Sequence, residues 1–159
     1  MPAPASTPEA DILVRPLIAG LHLFRRIPLD LVALVARLSI AGVFWQSGQT
    51  KVEGWHVTDN ALYLFENEYR LPLVDPWIAV HLAALAEHLF PVLLVIGLAS
   101  RLSAFALLLM TLVIEIFVYP AAWPTHGTWA VCLLLVMIHG PGRLSLDRIL
   151  SRSRRDGRG

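Results

Sequence analysis

Four apolar stretches, about residues 31–48, 77–98, 102–119 and 125–139, contain only three charged side chains: Arg37, Glu87 and Glu115. All other charges lie in the intervening loops and the two ends. The first three stretches have the roughly 17–25 residues that an α-helix needs to cross a bilayer. The fourth, about 15 residues, gives roughly 22 Å of helix, enough for a thin span. Charged residues make up 16% of the chain and its mean hydropathy is +0.61, whereas a soluble domain carries about a quarter charged residues. These features predict an all-α integral membrane four-helix bundle. The single cysteine, Cys132, sits within "AVCLLL", which excludes an intrachain disulfide and a CxxC motif.

The distribution of basic residues sets the topology. Arg15, Arg25, Arg26, Arg101, Arg143, Arg148, Arg152, Arg154, Arg155 and Arg158 fall on one side of a four-span arrangement, and only Lys51 and Arg70 on the other. The positive-inside rule then places both termini in the cytoplasm. Residues 1–11, Pro- and Ala-rich without a basic n-region, read as a disordered tail. Residues 12–28 carry an apolar stripe flanked by arginines and suggest an inner interfacial helix. The transmembrane domain occupies 29–141, and 142–159 forms a basic cytoplasmic tail. The long outer loop holds "TDNALYLFENEY", where Thr58 or Asp59 can cap a helix with Leu62, Phe65 and Tyr69 on one face, which suggests a short amphipathic helix lying on the outer surface.

A charge inside a membrane costs about 2.5–3.5 kcal/mol on insertion scales and calls for a partner or a function. Helical spacing puts Arg37, Ala41, Phe44, Gly48 and Lys51 on one face of the first span. The second span offers Ala79, Ala83 and Glu87 beside a stripe of His81, Ala84 and His88, and the third offers Ala104, Leu108, Thr111 and Glu115. Small residues accompany each charge, so all three charged faces should point into the bundle. If the helices share an inner boundary, Arg37 lies about 9 Å above it, Glu87 about 16 Å and Glu115 about 21 Å. This predicts that Arg37 reaches Glu87, that Lys51 reaches down toward Glu115, and that His88 neighbours the first pair. The expected intramembrane centre is therefore Arg37, Lys51, Glu87, His88 and Glu115. A buried Arg–Glu pair can equally serve only to fix helix register.

The segment "RLSIAGVFWQSGQTK", followed by the span-two glutamate and "VLLVIGLASR", resembles the DoxX family of small four-helix bacterial membrane proteins. The family's arginine, phenylalanine, glycine and lysine of span one map onto Arg37, Phe44, Gly48 and Lys51. Its span-two glutamate maps onto Glu87, and the closing glycine and arginine onto Gly97 and Arg101. The resemblance covers about residues 31–140. It implies a multi-pass protein of the bacterial inner membrane that acts as a subunit or partner in quinone-linked redox, oxidative-stress or metal-stress systems.

Three functions compete on the residues. In the first, Glu87, His88 and Arg37 serve a quinone with proton donors and hydrogen bonds, and electrons come from a partner protein. His81 and His88 lie about 10 Å apart along their helix and cannot ligate one haem. In the second, the protein is an assembly factor or anchor whose basic tail meets anionic lipid or a cytoplasmic partner. The third is a small metal- or proton-linked transporter with His56 and His126 of the outer loops as candidate metal ligands, completed by a homodimer. No feature suggests nucleic acid as a partner. Ser47, Ser100, Thr111 and Cys132 lack the setting of a nucleophile.

Overall fold

The computed structural model describes residues 26–69 and 71–156. The expected tail at 1–11 and nearly all of the expected interfacial segment at 12–28 lie outside the described residues. Helix α1 spans Leu29–Gln49 and is followed by a hairpin of β1 (Val52–Glu53) and β2 (His56–Val57), in register Val52 to Val57. Helices α2 (Asp59–Asn67), α3 (Pro76–Ile96) and α4 (Ser100–Val113) come next. A π-helical segment (Ile114–Val118) continues α4, and α5 (Trp123–His139) and α6 (Leu146–Asp156) complete the chain.

Local chemistry fixes these boundaries. Thr58 caps α2, its Oγ1 accepting from the Ala61 N–H at 3.2 Å. Asp75 caps α3 by accepting from the N–H groups of Trp77 and Ile78, and Pro76 occupies the first helical position, where no N–H is needed. At its other end α3 stops at Gly97, whose left-handed conformation (φ 72°) turns the chain toward α4.

Helices α1, α3, α4 and α5 form a ring: α1 packs on α3 and α5, and α4 packs on the same two. Ala36, Ile40, Ala41, Phe44, Leu94, Ala104, Leu107, Leu133 and Val136 make its centre. Alanines and serines let the backbones approach closely, while Leu38, Leu82, Leu85, Leu102, Leu109, Val131 and Ile138 point outward. Large apolar side chains on the outside and small ones within suit a lipid solvent. Three helices, Leu29–Gln49, Pro76–Ile96 and Ser100–Val118, are long and apolar enough to cross a membrane. Helix α5, with 17 residues, is about 25 Å long.

Helix α2 packs inward rather than lying free on a surface. Its Ala61 and Phe65 are buried against Ala79 and Val80 of α3. At the opposite end of the bundle, α6 begins with Ser145 accepting from the Arg148 N–H. It then supplies Asp147, which accepts from the N–H groups of Ala99 and Ser100 at 2.8 and 2.9 Å. A side chain from the last helix thus caps the first turn of α4 and holds Ala99 in a left-handed conformation (φ 48°) that a non-glycine residue adopts only at a cost. Replacing Asp147 by Ala is expected to lower stability by about 1–2 kcal/mol, read as a fall in the thermal midpoint of the purified protein in neutral detergent. An unchanged midpoint would show that the cap contributes nothing.

Candidate functional site

Glu87 lies in the middle of α3 with its side chain 2% exposed. Pro91, four residues on, has no N–H, so the carbonyl of Glu87 loses its usual helical donor. The carboxylate is met by the end of α1. Ser47 Oγ donates to Glu87 Oε1 at 3.0 Å, and Lys51 Nζ lies 2.7 Å from Oε2. Lys51 follows the last turn of α1 and folds back along it, also donating to Ser47 Oγ at 3.1 Å and to the Ser47 carbonyl at 3.3 Å. The two helices touch here because residue 48 is glycine. A Cβ on Gly48 would stand 2.8 Å from His88 Cε1 and 3.1 Å from Glu87 Cβ.

Neither sequence-predicted ion pair forms. Glu87 is level with Gly48, and Arg37 lies eleven residues lower on α1, about 16 Å away. The ends of α1 and α3 on the Arg37 side of the bundle are not level. Arg37, eight residues into α1, already stands beside the C-terminal turn of α3, where its Nη1 would be 3.0 Å from a Cβ on Gly97. The guanidinium, 1% exposed as a residue, instead donates to three backbone carbonyls: Pro141 at 2.6 Å, Leu144 at 3.0 Å and Val95 at 3.3 Å. It braces the end of α3 to the α5–α6 connection and leaves the carboxylate to Lys51. Glu115 has a different partner too. On the π-helical segment its Oε2 lies 2.6 Å from Nδ1 of His126, which is buried in the first turn of α5 rather than free in an outer loop.

His88 adjoins Glu87 in sequence but turns aside. Its Nδ1 lies 2.6 Å from the Ala84 carbonyl, its Nε2 2.9 Å from the Gln49 amide nitrogen, and its ring meets Trp45 edge-on. His81 likewise bonds its own helix, at the Trp77 carbonyl. Of the two candidate metal ligands, His56 is exposed on β2 while His126 is buried and paired with Glu115. Among the described residues no group of three or more His, Cys, Asp or Glu side chains can hold a metal.

The polar groups that do converge border one cavity of about 470 Å³ between α1, α2, α3, the π-helical segment and α5. Lys51, Ser47, Glu87, His126 and Trp129 line it, with apolar side chains making most of the remainder. Near the α2 end, Tyr119 Oη donates to Tyr69 Oη at 2.9 Å, and Tyr69 also packs on Phe65. Burial, with the Tyr119 hydroxyl next, pushes the Tyr69 phenol above its ordinary pKa. Sequence reasoning missed Ser47, Tyr69 and Trp129 as wall residues; the spacing Ser47–Lys51, one helical turn, was the available signal for the first.

The DoxX family profile matches residues 32–120, more than half of the chain, from α1 to the end of the π-helical segment. The chain belongs to the DoxX family. Comparison with curated proteins and with solved structures gives no match. Together with its long apolar helices, membership makes this DoxX protein a multi-pass integral membrane protein. The matched region contains Lys51, Glu87 and Glu115, whereas His126 comes from the helix beyond it.

A buried carboxylate deprived of its cation is strongly destabilising, by about 3–5 kcal/mol. Lys51→Met in this DoxX protein is therefore expected to lower thermal stability by an amount near the bottom of that range, since the lysine is 13% exposed. Glu87→Gln on the same background should restore most of the loss. Additive losses in a double-mutant cycle would show that the two side chains are not coupled.

Proposed function

We propose that the protein lies in the bacterial inner membrane with α1, α3, α4 with its π-helical extension, and α5 all crossing, and with both termini cytoplasmic. We further propose that it acts there as a quinone-binding subunit or partner of an oxidoreductase. The observation that carries this reading is the 470 Å³ cavity, mostly apolar, with a buried Lys–Glu pair in its wall. Ligand sites of this size combine an apolar lining with a few fixed polar groups. A quinone, an apolar molecule with two carbonyl oxygens, suits that distribution.

The polar groups suit such a head group once it competes for them. Lys51 and Ser47 direct their donors to Glu87 and to Ser47 itself, where a quinone carbonyl can exchange for one of these contacts, and His126 lines the same cavity with its Nδ1 held by Glu115. The Glu115 contact fixes the orientation of the imidazole and leaves Nε2 as the ring nitrogen without that bond. Glu87 holds Lys51 in place and provides a carboxylate beside the cavity for proton exchange. Trp129 packs between His126 and Phe44, which orients that part of the lining. When bound, a quinone supplies two-electron, two-proton redox chemistry, and a partner protein supplies the electrons.

Trp129 in the cavity wall provides a reporter. Titrating the purified protein with a short-tailed ubiquinone or menaquinone analogue should quench tryptophan fluorescence saturably, and Trp129→Phe should remove most of that signal. Lys51→Met and Glu87→Gln should each weaken the apparent affinity about tenfold, the size of one lost charge-assisted hydrogen bond. Quenching that never saturates and is unchanged in the variants would overturn the reading.

A further inference from the structure

A second cleft opens at the other end of the bundle, where the N-terminus of α4, the C-terminus of α5 and α6 meet. It encloses about 570 Å³. The quinone reading makes no use of it. Arg101, His139 and Arg148 line it from three different helices.

Two acidic residues share this cleft, and both are already engaged. Each Asp147 oxygen accepts a backbone N–H, from Ala99 and from Ser100. Asp30 accepts from the Arg143 N–H at 2.9 Å and faces the Arg143 side chain, which lies outside the cleft lining. The two arginines and His139, by contrast, are loosely held. Arg101 makes a single long bond, to the Ile138 carbonyl at 3.4 Å, and all three basic side chains are exposed. Ser100, also in the lining, has a fully buried hydroxyl without a hydrogen-bond partner among the described residues. Three donors from three helices around one concave space, with the local carboxylates occupied, form a receptor for a compact anion with several acceptor oxygens.

The apolar surroundings narrow the chemistry. Leu102, in the cleft lining, is 65% exposed, and Ile138, whose carbonyl Arg101 contacts, is 67% exposed. These residues carry an apolar surface from the cleft onto the lipid-facing side of α4 and α5. Basic pockets of this kind between membrane helices hold lipid head groups.

We propose that this cleft binds a phosphate group, that of an anionic lipid head group or of free phosphate, through Arg101, Arg148 and His139. Arg101 and Arg148 offer guanidinium forks suited to phosphate oxygens. Occupation would also tie α4, α5 and α6 together at the point where Asp147 caps α4.

The test uses the full chain in a neutral detergent, titrated separately with dioctanoyl phosphatidylglycerol, dioctanoyl phosphatidylcholine and inorganic phosphate. Bound stoichiometry is read by native mass spectrometry and affinity by calorimetry. One phosphatidylglycerol per chain is expected to bind saturably and more tightly than phosphatidylcholine. Arg101→Gln and Arg148→Gln should each weaken it about tenfold, with the ligand-free thermal midpoint of these exposed-site variants unchanged. A phosphatidylglycerol affinity at least tenfold above that of phosphate assigns the site to lipid. Equal affinities assign it to free phosphate, and both results uphold the chemistry. No saturable binding of either phosphatidylglycerol or phosphate, or binding unaffected when Arg101→Gln and Arg148→Gln are combined, would overturn the proposal.

Discussion

A carboxylate inside an apolar bundle must find a countercharge within a few ångströms or remain protonated. In this DoxX protein that requirement is met by a lysine outside the helix it serves. Lys51 follows the end of α1 and reaches back past Ser47 to Glu87. The arrangement depends on α1 and α3 being almost in backbone contact, which Gly48 permits. The ion pair, the helix crossing and the cavity wall are therefore one feature. Altering any of the three residues disturbs all of it.

The two ends of the bundle use their cations differently. At the cavity end Lys51 faces an acid, and both belong to a wall that a ligand can approach. At the other end Arg37 faces only carbonyl oxygens of Val95, Pro141 and Leu144. A guanidinium with several donors in a planar fork can gather three chain segments at once, which an ammonium on a flexible stem does less well. Arg37 contacts backbone rather than the Lys51–Glu87 pair, and the quinone reading rests on Lys51, Glu87 and His126 without it.

Much of the fold was legible because hydropathy and helical spacing act locally. The burial of Arg37, Ala41, Phe44 and Gly48 follows from their common face, and the Thr58 cap follows from one residue before an amphipathic run. Pairing was less legible because it depends on the relative heights of helices. Counting residues from each helix end assumes that the ends are level, and the C-terminal turn of α3 stands beside Arg37, two turns into α1. The Glu115–His126 contact was hidden for another reason. It lies where α4 passes into a π-helical segment, whose extra residue per turn rotates the following side chains away from ideal α spacing.

The Asp147 cap also bears on how the chain reaches this state. The N–H groups it satisfies, on Ala99 and Ser100, precede it by 48 and 47 residues. During synthesis those amides therefore leave the ribosome before their acceptor, which emerges only after α5. Until then those amides depend on water or on lipid head groups. The cap at that corner is thus a long-range contact, completed only when α6 docks against the α3–α4 turn.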